Sequence, residues 1–217
     1  MARLTWDESG TRFFETGVRN CVLYTKNQEG SWVGVAWNGV TSISESPDGA
    51  EANDFYADDI KYASMRSAET FNGSIEAYTY PDEWMACDGS VEAVTGVVLG
   101  QQSRAPFALC YRTAVGSDAV SDMNTLYKLH IVYGCTASPS EKSYETINDS
   151  PDAITFSWDF ESTPVNVSGH RAVSTITIDS RTADATKLAA IEDILYGNSS
   201  AEATLPMPDT VLSTFAA

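Results

Sequence analysis

The sequence is poor in basic residues and in histidine, and it has no long hydrophobic run. Lys and Arg total 13 against 30 Asp and Glu, which gives a net charge of −17, and there are two histidines. Such a charge disfavours binding to phosphate backbones and to anionic lipids. The longest run of Val, Leu and Ile is Val97-Val98-Leu99, far too short to cross a bilayer. Nucleic-acid-binding and membrane-spanning proteins are therefore disfavoured.

Residues suited to catalysis or metal binding are sparse and poorly spaced. His130 lies on the polar face of a predicted strand and His170 follows a glycine, so the histidines lack metal-site spacing. The chain contains no G-x-S-x-G elbow, no G-x-G-x-x-G loop and no C-x-x-C pair. A calcium site among the acids stays open, although their spacing matches no EF-hand loop. We therefore predict no catalytic residues, no metal, no cofactor and no enzymatic activity.

The cysteines and the first residues bear on the compartment in which the chain is made. Asp7 and Glu8 follow closely on the first residue, before any apolar core can form, so no signal peptide is expected. A chain made in the cytosol keeps its thiols reduced. We therefore predict four buried free thiols, at Cys21, Cys87, Cys110 and Cys135.

The dominant sequence period is two, which predicts strands with one packed and one wet face. The predicted strands cover 18–24, 33–43, 55–62, 75–79, 107–113, 127–133, 154–160 and 175–178. Residues 80–89 predict one or two helical turns, and 184–196 predict an amphipathic helix with Asp184 as N-cap and Gly197 as stop. We therefore predict an all-β fold, a β-sandwich with one flanking α-helix, in a single domain over residues 1–197.

An acidic stretch separates two of the predicted strands. Residues 45–59 hold six acids and no base, and the turn signal Ser46-Pro47-Asp48-Gly49 lies within them. A long charged hairpin adds little stability to a single domain. We therefore predict a surface hairpin over 45–59 that meets a partner, with contacts from Glu45, Pro47, Asp48, Gly49, Glu51 and Asp54.

The chain after Gly197 predicts an extended C-terminal arm over residues 198–217. Pro206 and Pro208, one residue apart, favour a stiff extended segment. Either the arm folds back on its own domain or it lies on a neighbouring subunit. Its predicted contact residues are Leu205, Pro206, Pro208, Leu212 and Phe215.

Seven blocks along the chain, taken together and in order, resemble one family. The blocks are Glu15-Thr16-Gly17-Val18 with Val22-Leu23-Tyr24; Gly34-Val35-Ala36-Trp37-Asn38-Gly39; Ser46-Pro47-Asp48-Gly49-Ala50-Glu51 with Tyr56-Ala57-Asp58; Glu76-Ala77-Tyr78-Thr79-Tyr80-Pro81-Asp82-Glu83 with Cys87-Asp88-Gly89; Gln101-Gln102-Ser103-Arg104-Ala105-Pro106-Phe107 with Tyr111-Arg112-Thr113; Tyr127-Lys128-Leu129-His130 with Val132-Tyr133-Gly134; and Leu195-Tyr196-Gly197. The chain resembles the major tail (tail tube) proteins of long-tailed, non-contractile (siphovirus-type) phages.

This resemblance implies a structural, self-assembling virion protein. Subunits of the family are expected to form hexameric rings, to stack into a tube through which the genome passes, and to lend strands to a shared inner barrel. Loops and terminal arms of the family tie one ring to the next, so the hairpin over 45–59 is the predicted ring-stacking loop. The implied partners are further copies of the chain and the tape-measure, tail-terminator and distal tail or baseplate proteins. DNA would pass without specific binding, no membrane would be involved, and assembly would take place in the host bacterial cytoplasm before the protein resides in the virion tail.

The negative charge suits such a conduit, because an acidic bore repels DNA and lets it slide, whereas Lys and Arg would hold its phosphates. We expect Glu69 and Glu76, on the strands flanking the acidic stretch, to face the lumen. Two alternatives are a β-sandwich adhesin or carbohydrate-binding module, which would use exposed aromatics such as Tyr78 and Tyr80, and an acidic β-fold hydrolase.

Overall fold

The computed structural model describes residues 3–49, 51–119, 125–147 and 152–216. Within these residues the chain forms twelve strands and three helices, and none of the helices is long and apolar enough to cross a membrane. The elements are β1 (Phe13–Lys26), β2 (Trp32–Ala36), β3 (Val40–Gly49), β4 (Ala52–Ala57), β5 (Ile60–Arg66), β6 (Glu69–Ala77), α1 (Trp84–Asp88), β7 (Val91–Val94), β8 (Val97–Leu99), β9 (Phe107–Ser117), β10 (Tyr127–Ala137), β11 (Phe156–Ser162), β12 (Thr175–Asp179), α2 (Ala185–Tyr196) and α3 (Pro208–Ala216).

Eight of the described strands form one antiparallel sheet that curls back on itself. Its path is β2-β1-β9-β10-β11-β6-β3, and β12 pairs with β10 beside this path. Ile75 of β6 and Trp158 of β11 share a core with Leu23 of β1 and Leu109 of β9. The β3-β6-β11 layer therefore lies over the β1-β9-β10 layer, as in a sandwich.

Three tryptophans form the centre of the core between the two layers. The ring centroid of Trp84 lies 4.7 Å from that of Trp37 and 5.4 Å from that of Trp158. Tilted and edge-on pairs of this kind stabilise by about 0.5–1.5 kcal/mol beyond their buried area. Trp84 comes from α1, which ends at Gly89 with a left-handed φ of 77°. The short helix predicted within residues 80–89 is therefore confirmed.

The opposite face of the β1-β9-β10 layer is buried beneath α2 and α3. The Asp184 carboxylate caps α2 by accepting hydrogen bonds from the Thr186 amide at 2.9 Å and the Lys187 amide at 3.1 Å. Helix α2 is confirmed over the predicted range, and the buried side chains of its apolar stripe are Leu188, Ile191 and Leu195. Strands β9 and β10 are consequently buried on both faces, which a period of two alone does not reveal.

The predicted fold class is confirmed, because the chain is mostly β-sheet with a flanking helix, but two predicted strands are wrong. The strand expected over 33–43 is interrupted by a turn at Trp37-Asn38-Gly39, where Gly39 has a φ of 79°. The strand expected over 55–62 is a hairpin that turns at Asp58-Asp59. Asn38-Gly39 and Asp58-Asp59 are turn-forming pairs. The sequence indicated a bend or bulge at Trp37-Asn38-Gly39, but the strand-forming residues on either side of each pair led to the prediction of continuous strands.

The C-terminal segment folds back on its own chain and is not an extended arm. Pro208 begins α3, since proline is well accommodated in the first turn of a helix. Val211 is buried in the core beneath the two helices, and the Tyr133 hydroxyl donates to the Pro206 carbonyl at 3.0 Å. The predicted arm also includes Ala217, which lies outside the described residues.

Candidate assembly surfaces

Within the described residues, the side chains that could perform chemistry are buried or dispersed. No group of three or more His, Cys, Asp or Glu side chains there could hold a metal ion. The four cysteines are buried and free, and burial raises the pKa of Cys87 and Cys110 to about 12. Thiols in this state are protonated and unreactive. The features that remain as candidates for function are surfaces.

Strands β4 and β5 form a two-stranded ribbon outside the main sheet, here called the projecting ribbon. Its turn is formed by Asp58 and Asp59, whose φ values of 51° and 61° are left-handed. Every residue of the two strands is exposed except Asp54, which is half-buried. Asp54 forms an ion pair of 2.8 Å with Lys61 across the strands, and this contact lowers the pKa of the Asp54 carboxyl.

One face of the projecting ribbon is apolar. Directly opposite residues of an antiparallel pair point to the same face, which places Phe55 beside Ala63 and Ala57 beside Ile60. The exposed fraction is 45% for Phe55, 65% for Ile60 and 64% for Met65, which lies on the same face. A lone two-stranded hairpin is marginally stable, and an exposed apolar face marks an interaction surface. The ribbon is therefore amphipathic, whereas the sequence pattern had suggested only a charged hairpin.

The residues predicted to join rings are divided between this ribbon and the main sheet. Asp54 lies in β4, and the Glu51 carbonyl accepts from the Ser67 amide at 3.4 Å at the base of the ribbon. The remaining four predicted residues lie in β3, paired with β6: Glu45, Pro47, Asp48 and Gly49. The predicted turn at 46–49 is therefore wrong, and the acidic hairpin spans 52–66 instead of 45–59.

Pairing with β6 overrides the turn chemistry of these four residues. Among the described strands, β3 lies at one edge of the sheet, where proline is tolerated because one side of the strand has no strand partner. Gly49 has a φ of 85°, and a Cβ there would lie 2.8 Å from the Ala68 carbonyl oxygen. Glycine is thus needed where the chain leaves β3, but the reversal itself comes ten residues later.

Glu45 is bonded to the body of the fold. Its carboxylate accepts a hydrogen bond of 2.5 Å from the Tyr111 hydroxyl, and the Tyr111 ring stacks on His130 at 4.8 Å. The two ring nitrogens of His130 lie 3.0 Å from the Thr113 hydroxyl and 3.3 Å from the Thr177 hydroxyl. Burial lowers the pKa of His130, and the negative charge of Glu45 opposes that shift. These contacts tie β3 to the central layer.

The outward face of the β3-β6-β11 layer is acidic and, among the described residues, carries no Lys or Arg. Glu76 is flanked on this face by Ser42 of β3 and Ser157 of β11, which are its partners in register. We call this surface the acid face. Its members by register are Ser42, Ser44, Ser46, Asp48, Thr70, Asn72, Ser74, Glu76, Ser157, Asp159 and Glu161. Four acids thus lie on a smooth layer of small polar side chains.

The two acids predicted to face a lumen do not lie on one surface. Glu69 and Glu76 are seven residues apart in a strand whose side chains alternate, so they point to opposite faces of β6. Glu76 belongs to the acid face, whereas Glu69 shares its side with the buried Phe71. Sequence reasoning missed Asp159 and Glu161 as companions of Glu76, although the alternating pattern from Ile154 to Glu161 places both on the wet face of their strand.

The predicted arm residues lie mostly inside their own chain. Leu205, Pro206 and Pro208 are buried, and Phe215 packs partly against the core beneath α2 and α3. The Lys187 ammonium donates to the Phe215 carbonyl at 3.1 Å and thereby links α2 to α3. The remaining predicted residue, Leu212, is 42% exposed, so α3 retains an apolar side chain for a further contact.

Tyr78 and Tyr80 do not form a paired aromatic platform. Tyr78 is 53% exposed, whereas the Tyr80 ring lies edge-on to Phe156 and Trp158, each at 5.5 Å between centroids. Tyr80 is thus held by the core and faces a different environment from Tyr78. The carbohydrate-binding alternative loses the pair of exposed rings that motivated it.

No protein-family model matches the sequence, and no curated protein matches it. Among solved structures, the chain is similar to the sheath/tube terminator of an extracellular contractile injection system, PVC, in the extended state. That match has 12% identity and a TM-score of 0.33, and it covers 81% of this chain and 99% of the other. A chain of the sheath-tube complex of the same system matches at 11% identity and a TM-score of 0.31, over 74% of this chain and 88% of the other. Likenesses of this size carry no argument about function.

Proposed function

We propose that this chain is a structural subunit of a phage-type tail tube, of the long-tailed, non-contractile kind. Copies would form hexameric rings that stack into a conduit for the genome, and the chain would not be an enzyme. The observation that carries the proposal is the acid face, which joins four acids to small polar side chains and includes no base among the described residues. The seven-block sequence resemblance independently supports the same function.

The acid face suits the inner wall of a conduit for DNA. A surface that neutralises phosphates releases counterions and gains affinity with every contact, so Lys and Arg in a bore would hold the duplex. Carboxylates repel the phosphates from every side instead. The serine and threonine side chains between them are short and neutral, so they add no bulk and no charge that would grip the passing strand.

The open edge of the sheet at β3 supports the closing of strands into a shared barrel. Strands β2 and β3 end the path of the described sheet. The outer side of β2 is covered by the C-terminal segment, where the Gly34 amide donates to the Ala203 carbonyl at 2.9 Å, whereas β3 has no strand partner on its outer side among the described residues. Unpaired edges invite pairing with another chain, and closure into a ring removes them. We propose that the β3-β6-β11 layers of six copies line the lumen in this way.

The projecting ribbon supports a contact between stacked rings. Its apolar face, with Phe55, Ile60 and Met65, is exposed in the single chain and would be buried against the next ring. The acids Asp58 and Asp59 lie at its tip and would face polar groups at the rim of that contact. We propose this ribbon as the stacking element in place of residues 45–49, which belong to the main sheet.

The proposed partners follow from a tube of defined length. Further copies of the chain would form the wall, a tape-measure protein would set the length, and terminator and distal tail or baseplate proteins would close the ends. DNA would pass through the lumen without specific binding. The protein would reside in the virion tail after assembly in the host bacterial cytoplasm.

Electron microscopy of the purified chain over a range of protein and salt concentrations tests the proposal. We expect six-fold rings or tubes, favoured by high salt because salt screens the repulsion between negatively charged copies. A chain that stays monomeric under all these conditions, or that forms only amorphous aggregate, would contradict it.

A further inference from the structure

A second small ribbon has no place in the contacts proposed above. Strands β7 and β8 form a two-stranded ribbon, here called the valine ribbon. Its base is held where the Gln102 amide donates to the Gly89 carbonyl at 2.8 Å. Its turn is held where the Gly96 amide, at a residue with a φ of 81°, donates to the Glu92 carboxylate at 2.7 Å. The ribbon is thus an ordered projection with a hydrogen bond at each end.

One face of the valine ribbon is wholly aliphatic. The register places Val91 opposite Leu99 and Val94 opposite Val97, and directly opposite residues share a face. Val97 and Leu99 are two residues apart, so all four side chains point the same way. Their exposed fractions lie between 46% for Val91 and 64% for Val94, so the body of the chain leaves this face uncovered. We call these four residues the aliphatic face.

The charge distribution indicates what covers this face. A chain of net charge −17 repels its own copies, so copies can meet with least penalty where acids are absent. The aliphatic face carries no charge, and the one charged residue of the valine ribbon, Glu92, lies on the other face opposite Val98. Burying four aliphatic side chains there would stabilise a contact between copies without bringing carboxylates together.

We propose that the aliphatic face of the valine ribbon docks on a second copy of this chain. The inference rests on the proposed function, since it adds a specific contact to the same self-assembly. The contact differs from the proposed stacking by the projecting ribbon, because it uses a separate hairpin beside α1. A surface patch that meets a different surface of an identical copy generates a ring or a filament, as tail tubes require.

Val97→Glu and Val98→Glu form a matched pair that tests this contact. The two residues are neighbours in β8, with exposed fractions of 49% and 52%, but they point to opposite faces. We expect Val97→Glu to raise the lowest concentration at which rings or tubes form by about tenfold or more, because it buries an unpaired charge. We expect Val98→Glu to change that concentration by less than about threefold. Equal concentrations for Val97→Glu and the wild type, or equal effects of both variants, would overturn the inference.

A cysteine probe tests the same contact without adding a charge. The native thiols are buried, so a cysteine introduced as Val94→Cys can be labelled selectively with bimane. We expect the label to shift to shorter wavelength when the protein assembles, whereas a label at Gln28→Cys, in the turn between β1 and β2, reports on a site outside the ribbon. An unchanged Val94→Cys signal on assembly would overturn the docking. A wild type that never assembles would contradict both the proposed function and the docking contact. A wild type that assembles without a change in the Val94→Cys signal would contradict the docking contact alone.

Discussion

Glu45 stabilises its own subunit, although the acidic residues around it in the sequence predicted a contact with a partner. It lies among six acids, yet its side chain accepts the hydroxyl of the buried Tyr111 at 2.5 Å. Burial and this hydrogen bond raise the pKa of Tyr111, which therefore stays protonated and donates. Removing the carboxylate would leave a buried hydroxyl without its partner, at a cost of about 1–3 kcal/mol.

His130 should titrate below the ordinary histidine pKa of about 6.5, because burial disfavours its charged form. Glu45→Gln should lower that pKa further, since the Glu45 carboxylate is a negative charge that favours the imidazolium. Proton NMR of the imidazole C2 protons over a pH series measures the His130 pKa in the wild type and in Glu45→Gln. The variant His170→Gln assigns the two histidine signals. A higher His130 pKa in Glu45→Gln would contradict the proposed electrostatics.

The same shift makes stability depend on pH in a defined direction. The folded pKa of His130 lies below the unfolded value of about 6.5, so the unfolded chain binds more protons in the window between them. Its contribution to stability is fully present above that unfolded value and is lost as the pH falls through the folded one. The midpoint of urea unfolding should therefore fall less on acidification in His130→Gln than in the wild type.

At the scale of elements, replacing the projecting ribbon tests its proposed role in stacking. Replacing residues 52–66 by a short Gly-Ser linker should leave a folded subunit, because these strands contribute no residue to either core. We expect single rings in electron micrographs but no long tubes, since the apolar face that we propose to join the rings is gone.

Thermal melting of the linker variant supplies the control and should match the wild type, while its circular dichroism should lose only the strand signal of β4 and β5. A deletion of residues 47–53 is a poorer test, because it removes part of β3 together with part of β4. Tubes of normal length from the linker variant would exclude the projecting ribbon as the stacking element.

The C-terminal segment calls for two different variants. Ending the chain after Gly197 removes Leu205 and Val211 from the core beneath the helices, where each buried aliphatic side chain contributes about 1.5–3 kcal/mol. We therefore expect a clear fall in the melting temperature of the truncated subunit. Leu212→Glu should leave the melting temperature within about 2 °C, because that side chain is already exposed.

If α3 also contacts a neighbouring ring, Leu212→Glu should shorten the tubes seen by electron microscopy. Tubes of wild-type length in this variant would restrict α3 to its role within the subunit. A truncated chain that melts at the wild-type temperature would contradict the burial of Leu205 and Val211.

The strands and the main helix could be predicted from sequence because local pattern determines them. The alternation over 127–133 predicted which side chains of β10 are buried beneath the helices, and Asp184 and Gly197 predicted the ends of α2. The reversal at Asp58-Asp59 could not be recognised, because the stronger Pro-Asp-Gly turn signal lies earlier, where long-range pairing with β6 overrides it. The acid face could not be predicted either, because a strand's sequence does not show which neighbouring strands lie beside it or which of their residues share its face.

At the scale of the whole molecule, the acids and the exposed apolar side chains lie on different surfaces, which are the proposed wall of the conduit and the proposed contacts between copies. The acid face carries four carboxylates, whereas the apolar faces of the two ribbons carry no charged side chain among their described residues. Repulsion between copies and apolar attraction are thus placed on different surfaces. In the proposed assembly, this arrangement would let identical subunits associate although their net charge is −17.

Reversing charge on the acid face should convert a repelling surface into a binding one. Tubes or rings of a Glu76→Lys, Asp159→Lys double variant should retain duplex DNA at low salt and release it as salt rises, since each phosphate contact displaces counterions. Fluorescence anisotropy with a labelled duplex measures this retention against the wild type. Equal binding by a Glu29→Lys, Asp82→Lys variant, whose exposed side chains lie outside the acid face and both ribbons, would show that the effect does not depend on the acid face.

The most direct measurement is a cryo-electron microscopy reconstruction of the assembled protein. The proposed function predicts closed rings in which Glu76, Asp159 and Glu161 face the lumen, with the two-helix layer of α2 and α3 on the opposite side of the subunit. A channel lined by Lys and Arg, or an assembly without a closed ring, would contradict it.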